Sequence, residues 1–291
     1  MKLGIVTPVV TRLPRAHASW EATAGIDEVA RVVIEAERLG YGFCTCSEHV
    51  AVPVDVASTR GATYWDPLPT FGYLAARTST IRFATFVLVL GYHHPLAIAK
   101  RYGTLDQVSG GRLTLGVGVG SLEEEFVLLG ADFAARGPMG DDAIRALRAA
   151  LSRPEPEYDG EYFTFGGFVV DPSARQARVP IWIGGRTARS LRRAVELGDG
   201  WAPFGLSSAE LAATLSRARE TEAWAARPEP LEVVVQSDRP LDPSSEPDRV
   251  AEQLAKYAEI GATTLAVRFV HHSVVHYCEQ LAALRDLQDP A

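Results

Sequence analysis

Glu48 and His49, in the run Ser47-Glu48-His49, directly follow a short apolar stretch at 42–46. A histidine beside a carboxylate suits general acid or base work, because an unperturbed imidazole titrates near neutrality, at about 6.5. A hydrogen-bonded structural histidine is the plainer account of the same residues. The second feature is the run 113–120, Leu-Thr-Leu-Gly-Val-Gly-Val-Gly. Alternate residues of a strand share one face, so Gly116, Gly118 and Gly120 leave that face bare, with room for a flat ligand or another backbone. A tightly packed strand without a ligand fits the same pattern. The third is Gly184-Gly185-Arg186-Thr187, a turn into a helix for which Thr187 is a natural N-cap. Backbone N–H groups at such a turn bind phosphate, and Arg186, Arg189, Arg192 and Arg193 follow closely. The bland alternative is a solvated turn.

Other chemistries lack their residues. Cys44, Cys46 and His49 give no closed ligand set, so no metal is expected. There is no Gly-x-Ser-x-Gly elbow, no Walker loop and no strand-anchored dinucleotide fingerprint. The period-two glycines lack Rossmann spacing. No lysine ends a strand, which disfavours a phosphate-binding isomerase or aldolase working through a Schiff base. His93, His94, His271 and His272 fall just after two further strands and are expected near the same rim or on loop surface.

These residues must be held by regular elements, and the 291-residue chain supplies them as apolar runs alternating with helical patterns. Strands are expected at 3–6, 42–46, 81–88, 113–117, 181–184, 200–202, 231–236 and 264–269. Ile26, Val29, Ala30, Val33, Ala36 and Leu39 fall at helical spacing, as do the residues of 96–108 and 141–151. Eight βα units predict an α/β fold, a single (β/α)8 barrel over residues 1–291, with an open sheet as the alternative. Two long segments, Glu48–Asp66 and Ser121–Pro180, follow strands two and four. They read as insertions on the strand C-terminal face, where they would act as lids.

With 29 Lys and Arg against 36 Asp and Glu, the chain has a formal charge of -7 and no broad basic field, which argues against nucleic acid. The opening ten residues are too short an apolar run for a signal peptide core or a membrane span, and three cysteines form no disulfide framework. A cytoplasmic enzyme of a small-molecule substrate is expected, acting as a homodimer without membrane or nucleic-acid partners.

In combination the motifs resemble the bacterial luciferase-like monooxygenase superfamily. They include His94-Pro95, Ala99-Lys100, Thr104-Leu105-Asp106, Ser109-Gly110-Gly111-Arg112, Leu115 to Gly120 and Glu125-Phe126, then Gly160-Tyr162-Phe163, Pro180 to Gly185 and Gly198 to Trp201. The subgroup that this chain is most similar to is the coenzyme F420-dependent oxidoreductases. The resemblance implies a barrel whose tricyclic cofactor lies on strands three and four with its phosphate at the Gly185 turn. It implies His49 as active-site acid or base with Glu48 tuning it. A bulge over Thr85 to Leu88, with a non-prolyl cis peptide at Phe86–Val87, would back the ring. The cofactor contacts expected are Phe86, Val87, Leu88, Gly118, Val119, Gly120, Ser121, Gly184, Gly185, Arg186 and Thr187. Two departures matter. Ser121 stands where sugar-phosphate dehydrogenases of the superfamily carry an acidic residue, and Val119 where luciferases carry arginine. The implied activity is hydride transfer between F420 and a small organic substrate. The alternatives are an FMNH2-dependent monooxygenase using O2 on paired donors, and a flavin-binding barrel without catalysis.

Overall fold

In a computed structural model, which describes residues 1–14 and 16–288, the eight apolar runs form eight parallel strands. They are β1 (Lys2–Ile5), β2 (Phe43–Cys46), β3 (Arg82–Thr85), β4 (Leu113–Gly118), β5 (Ile181–Gly184), β6 (Gly200–Ala202), β7 (Glu232–Gln236) and β8 (Thr264–Val267). Each pairs with the next in order, β4 pairs with β5, and β8 returns to β1 through Lys2 opposite Thr264, so the sheet closes into the expected barrel.

The outer helices include α1 (Ile26–Arg38), α2 (Pro67–Ala75), α3 (Pro95–Val108), α4 (Arg136–Ala150), α5 (Ala188–Leu197), α6 (Ser208–Arg219), α7 (Pro247–Ile260) and α8 (Val274–Gln288). Helix α1 shows why they form where they do. Glu28 reaches back to the Gly25 N–H at 2.8 Å, Asp27 and Glu28 complement the dipole, and Val29, Val32, Val33 and Ala36 bury one stripe. Helix α4 begins five residues before the expected 141, because Pro138 and two glycines in its opening turns disguise the period.

Inside the barrel, Phe43, Ala84, Trp182, Ala202, Val234 and Ala266 form one cluster, with Val6 and Phe86 packed on it. The two large rings meet edge to face at 5.2 Å. They fit because the opposing positions are glycine: a Cβ at Gly4 would lie 2.2 Å from the Phe43 ring, and one at Gly200 2.5 Å from Trp182. Their neighbours along the same strands, such as Cys44, Phe83 and Ile183, face the helices instead.

Several motif residues prove to be braces at the other end of the barrel. Arg112 is buried and donates to the carbonyls of Ala75, Thr78, Ile81 and Ser109. Asp106 accepts from the N–H groups of Leu113 and Gln176, and Asp199 from that of Ile181.

Both long segments hang from the strand C-terminal ends, as expected. The first contains a short helix, Val54–Arg60, and a strand, Thr63–Tyr64, that pairs antiparallel with Thr11–Arg12. The second holds a six-residue helix, Glu123–Leu128, then α4, then a hairpin of Tyr158–Asp159 with Thr164–Phe165. Among the described residues no helix is long and apolar enough to cross a membrane.

Candidate active site

The expected third strand is interrupted. β3 ends at Thr85, the Phe86–Val87 peptide is cis, and pairing with β4 resumes at Leu88–Val89. The displaced chain leans onto the glycine strand. A Cβ at Gly116 would meet the Thr85 carbonyl oxygen, while those at Gly118 and Gly184 would each come within 2.7 Å of a Val87 methyl. The bare face of β4 is therefore filled by its own neighbouring backbone and by Val87, which also reaches β5. Phe86 and Val87 stay partly exposed on the inner side. Leu88 does not: it is buried in the layer between barrel and helices, away from the mouth. Gly120 also departs from expectation, since its open side meets Phe126 and Val89 rather than the mouth. Val119 packs a methyl against Gly140 of α4, and exposed Ser121 accepts from Arg60 at 3.4 Å.

Two carboxylate–histidine pairs close over the bulge. Glu48 does not hold His49. Its Oε1 pairs with His93 Nε2 at 2.7 Å and its Oε2 accepts from the Val89 N–H at 2.8 Å, so it fastens the bulge. Ser47 supports the same segment by donating to the Phe86 carbonyl. The carboxylate on His49 is Glu125, at 2.7 Å from Nδ1. Glu125 also accepts from the Tyr92 hydroxyl at 2.7 Å and from the N–H groups of Val50 and Ala51. Its side chain is fully buried. Burial opposes ionisation, but the hydrogen bonds from Tyr92, His49 and Ala51 outweigh it and hold the carboxyl below its ordinary value. An ionised carboxylate only accepts, so His49 Nδ1 carries the proton toward it and Nε2 is left to exchange a proton elsewhere. Tyr64 packs edge-on against the His49 ring at 4.5 Å.

The thiols of Cys44 and Cys46 lie in the outer layer, and burial pushes Cys44 up to about 12, so neither acts beside His49. Of the other rim histidines, His94 caps α3, and His272 stacks on His276 with ring centres 4.1 Å apart. His271 accepts from the Trp20 indole at 2.9 Å. Burial, with His276 and His272 adding to it, lowers its pKa to about 4.

Across the mouth, Gly185 takes a positive φ of 131°, and a Cβ there would strike Ser190. Thr187 caps α5 reciprocally with Ser190, which uses the Thr187 N–H and leaves other first-turn N–H groups without intrahelical partners. The arginine cluster is partly committed: Arg193 pairs with Asp141 and donates to the Gly137 carbonyl, and Arg192 lies 3.9 Å from Glu196. Arg186 and Arg189 are exposed, with Arg186 above the Phe204 ring at 6.0 Å. A glycine turn at a helix N-terminus with two exposed guanidiniums fits a phosphate that carries a further anionic tail.

Residues 1–239 match the luciferase-like monooxygenase family. An uncharacterized protein of Mycobacterium tuberculosis is 32% identical over 212 residues, covering 69% of this chain and 73% of that protein. Among solved structures, monooxygenase RslO1 from Streptomyces bottropensis superposes with a TM-score of 0.81 at 20% identity, covering 100% of this chain and 99% of that one. An F420-dependent secondary alcohol dehydrogenase, in complex with an F420-acetone adduct, gives a TM-score of 0.76 at 15% identity over 98% and 99% of the two chains.

Proposed function

Since the chain belongs to the luciferase-like monooxygenase family, we propose that it is an oxidoreductase that uses coenzyme F420 to transfer hydride to or from a small organic substrate. The observation that carries this reading is the sharing of one barrel mouth by His49, held through Nδ1 by a buried carboxylate, and the open Gly184–Thr187 turn with exposed Arg186 and Arg189. The likeness to an F420-dependent dehydrogenase supports the fold that the reading needs.

The residues fit such a cofactor. First-turn N–H groups of α5, the Thr187 hydroxyl and Arg186 would hold the phosphate, and Arg189 lies where an anionic tail would continue. Val87, seated on Gly118 and Gly184, would support the ring from below. Bound there, the deazaflavin supplies the hydride chemistry. The protein supplies the proton. Glu125 fixes the His49 tautomer, and Nε2 delivers or removes a proton at the substrate. Tyr92 and the Val50 and Ala51 N–H groups keep Glu125 ionised, so the proton on Nδ1 stays on the ring. Tyr64 shields one edge of that ring from water.

Monooxygenation with reduced FMN and O2 is the second reading, favoured by the superposition on RslO1. Val119, packed on Gly140, offers the flavin phosphate no charge, and this weighs toward F420. Fluorescence titration of the purified protein decides: F420 should bind at micromolar concentration and FMN at least tenfold more weakly, a gap of about 1.4 kcal/mol. The reverse order would move the protein to the FMN-dependent monooxygenases. We further propose that it acts as a homodimer in the cytoplasm, which molar-mass measurement by light scattering and cell fractionation would check.

A further inference from the structure

Just past the last strand a cation, Arg268, reaches the mouth, and none of the described residues pairs with its side chain. Ala266 of β8 faces the barrel interior, and the period of two carries Arg268 to the same side. There it lines a pocket between the ends of β1 and β8, with Val6, Thr7, Glu21, His271 and Tyr277. Its enclosed part is small, about 20 Å³, room for a water or the head of a carboxylate but not for a ring, and it opens to the mouth. The Arg268 backbone is engaged, its N–H on Ser237 Oγ at 3.0 Å and its carbonyl accepting from Leu241. Its guanidinium makes no hydrogen bond and no ion pair among the described residues.

The neighbouring groups are occupied elsewhere. Glu21 accepts from Val9 N–H and Ala18 N–H, both at 2.7 Å, with His271 Nε2 at 3.5 Å. The Tyr277 hydroxyl donates to the Val6 carbonyl, and the Tyr64 hydroxyl to that of Arg60. Because Trp20 donates to His271 Nδ1, the neutral ring carries its proton on Nε2, on the side of Glu21. The Arg268 side chain is partly buried; burial disfavours its charge, Tyr277, Glu21 and Tyr64 act against this from nearby without touching it, and arginine cannot relieve the cost by losing its proton. Its planar fork of N–H donors matches a carboxylate in two parallel bonds.

Position links this pocket to the proton site. In the closed strand order, β8 stands opposite β4 and β1 opposite β5. The pocket therefore lies across the mouth from the Gly184–Thr187 turn, with His49 and the bulge between them. Tyr64, which packs on His49, also feels the charge of Arg268.

We propose that Arg268 anchors a carboxylate of the substrate, so that the substrates are small organic acids whose uncharged part extends toward His49. This assignment of substrate class rests on the proposed oxidoreductase function. The test is calorimetric titration of the full chain with sodium benzoate and, as its neutral counterpart, benzamide. Benzoate should bind at least tenfold more tightly than benzamide, Arg268→Gln should reduce benzoate to the benzamide level, and Arg268→Lys should restore part of the difference. Equal binding of the two probes, or unchanged benzoate affinity in Arg268→Gln, overturns the proposal. F420 quenching by Arg268→Gln should stay within twofold of the parent protein; a tenfold loss would make Arg268 a cofactor residue and overturn it too. Should Arg268→Gln fail to fold, phenylglyoxal labelling of the parent protein takes its place. Benzoate, and not benzamide, should protect Arg268, and labelling unaffected by benzoate overturns the proposal. A protein that binds neither F420 nor FMN yet holds benzoate through Arg268 would sink the cofactor reading and leave the anion site standing.

Discussion

The two carboxylate–histidine pairs at the mouth have the same separation, 2.7 Å, and different surroundings. Glu125 is sealed from solvent and gathers four donors, of which one is His49. Glu48 is slightly exposed and divides itself between His93 and the Val89 N–H. The first pair fixes the His49 ring through Nδ1, and in the proposed function its Nε2 would exchange the proton. The second ties a loop histidine to the backbone that follows the bulge. Identical partners at identical distance thus sit in different settings: under the proposed function the first would serve chemistry and the second architecture, and what separates them is the rest of each carboxylate's hydrogen bonds.

The sharpest way to break this comparison is to remove each ring. His49→Ala should lower turnover by about 100-fold or more, roughly 2.7 kcal/mol of barrier, with cofactor affinity nearly intact. His93→Ala should change turnover only by about twofold to threefold. Steady-state kinetics with parallel cofactor titration measures both, and equal losses would erase the distinction. Glu125→Gln comes next. It leaves buried N–H donors facing an amide and should cost about 2 to 3 kcal/mol in urea unfolding at pH 7. Because the folded Glu125 pKa is depressed below its ordinary 4.5, its stabilisation is full above that pH and is lost as pH falls through the folded value. The gap between parent and variant should therefore shrink in unfolding curves recorded near pH 3. A gap that stays constant with pH would deny the carboxylate its charge-dependent role.

Gly118→Ala tests the bulge from beneath. Its Cβ would lie 2.7 Å from a Val87 methyl, and overpacking of that kind costs about 1 to 3 kcal/mol. Val87→Ala in the same chain should recover part of the loss, and simple additivity of the two in thermal unfolding would show that they do not touch. The smallest effect is expected of Glu48→Gln, about 1 kcal/mol in stability, since an amide oxygen can still accept from Val89. Turnover should move less than in Glu125→Gln; a larger fall would exchange the roles of the two pairs.

The barrel was legible because alternation of apolar runs with helical periods survives in every unit, and β4 marks itself by its glycines. The residues beside His49 were harder to read. Glu125 lies 76 positions away, in the run Glu123-Glu124-Glu125, which looks like an acidic first turn of a solvated helix. Only its third member is buried, and the signal the sequence offered was the Glu125-Phe126 pair among the motifs of the family resemblance. Glu48, next to His49 in sequence, was the natural partner to expect, but adjacent residues at a strand end diverge, and it turns to His93 instead. Arg268 could have been found by extending the two-residue period of Thr264 and Ala266 past the end of β8. Cofactor choice has no such local signature, since it depends on charges that tertiary pairing consumes, as Asp141 does for Arg193.

Val87 has one more implication, for sequence change. Its methyl groups rest where Gly118 and Gly184 lack side chains, and Gly116 admits the carbonyl just before it. The bulge and two strands, with members nearly a hundred residues apart along the chain, therefore share a single allotment of volume. A substitution that enlarges any one of them must be matched by shrinkage at another, so these sites should drift together or not at all, and a library that varies the floor of the mouth should randomise them as one unit.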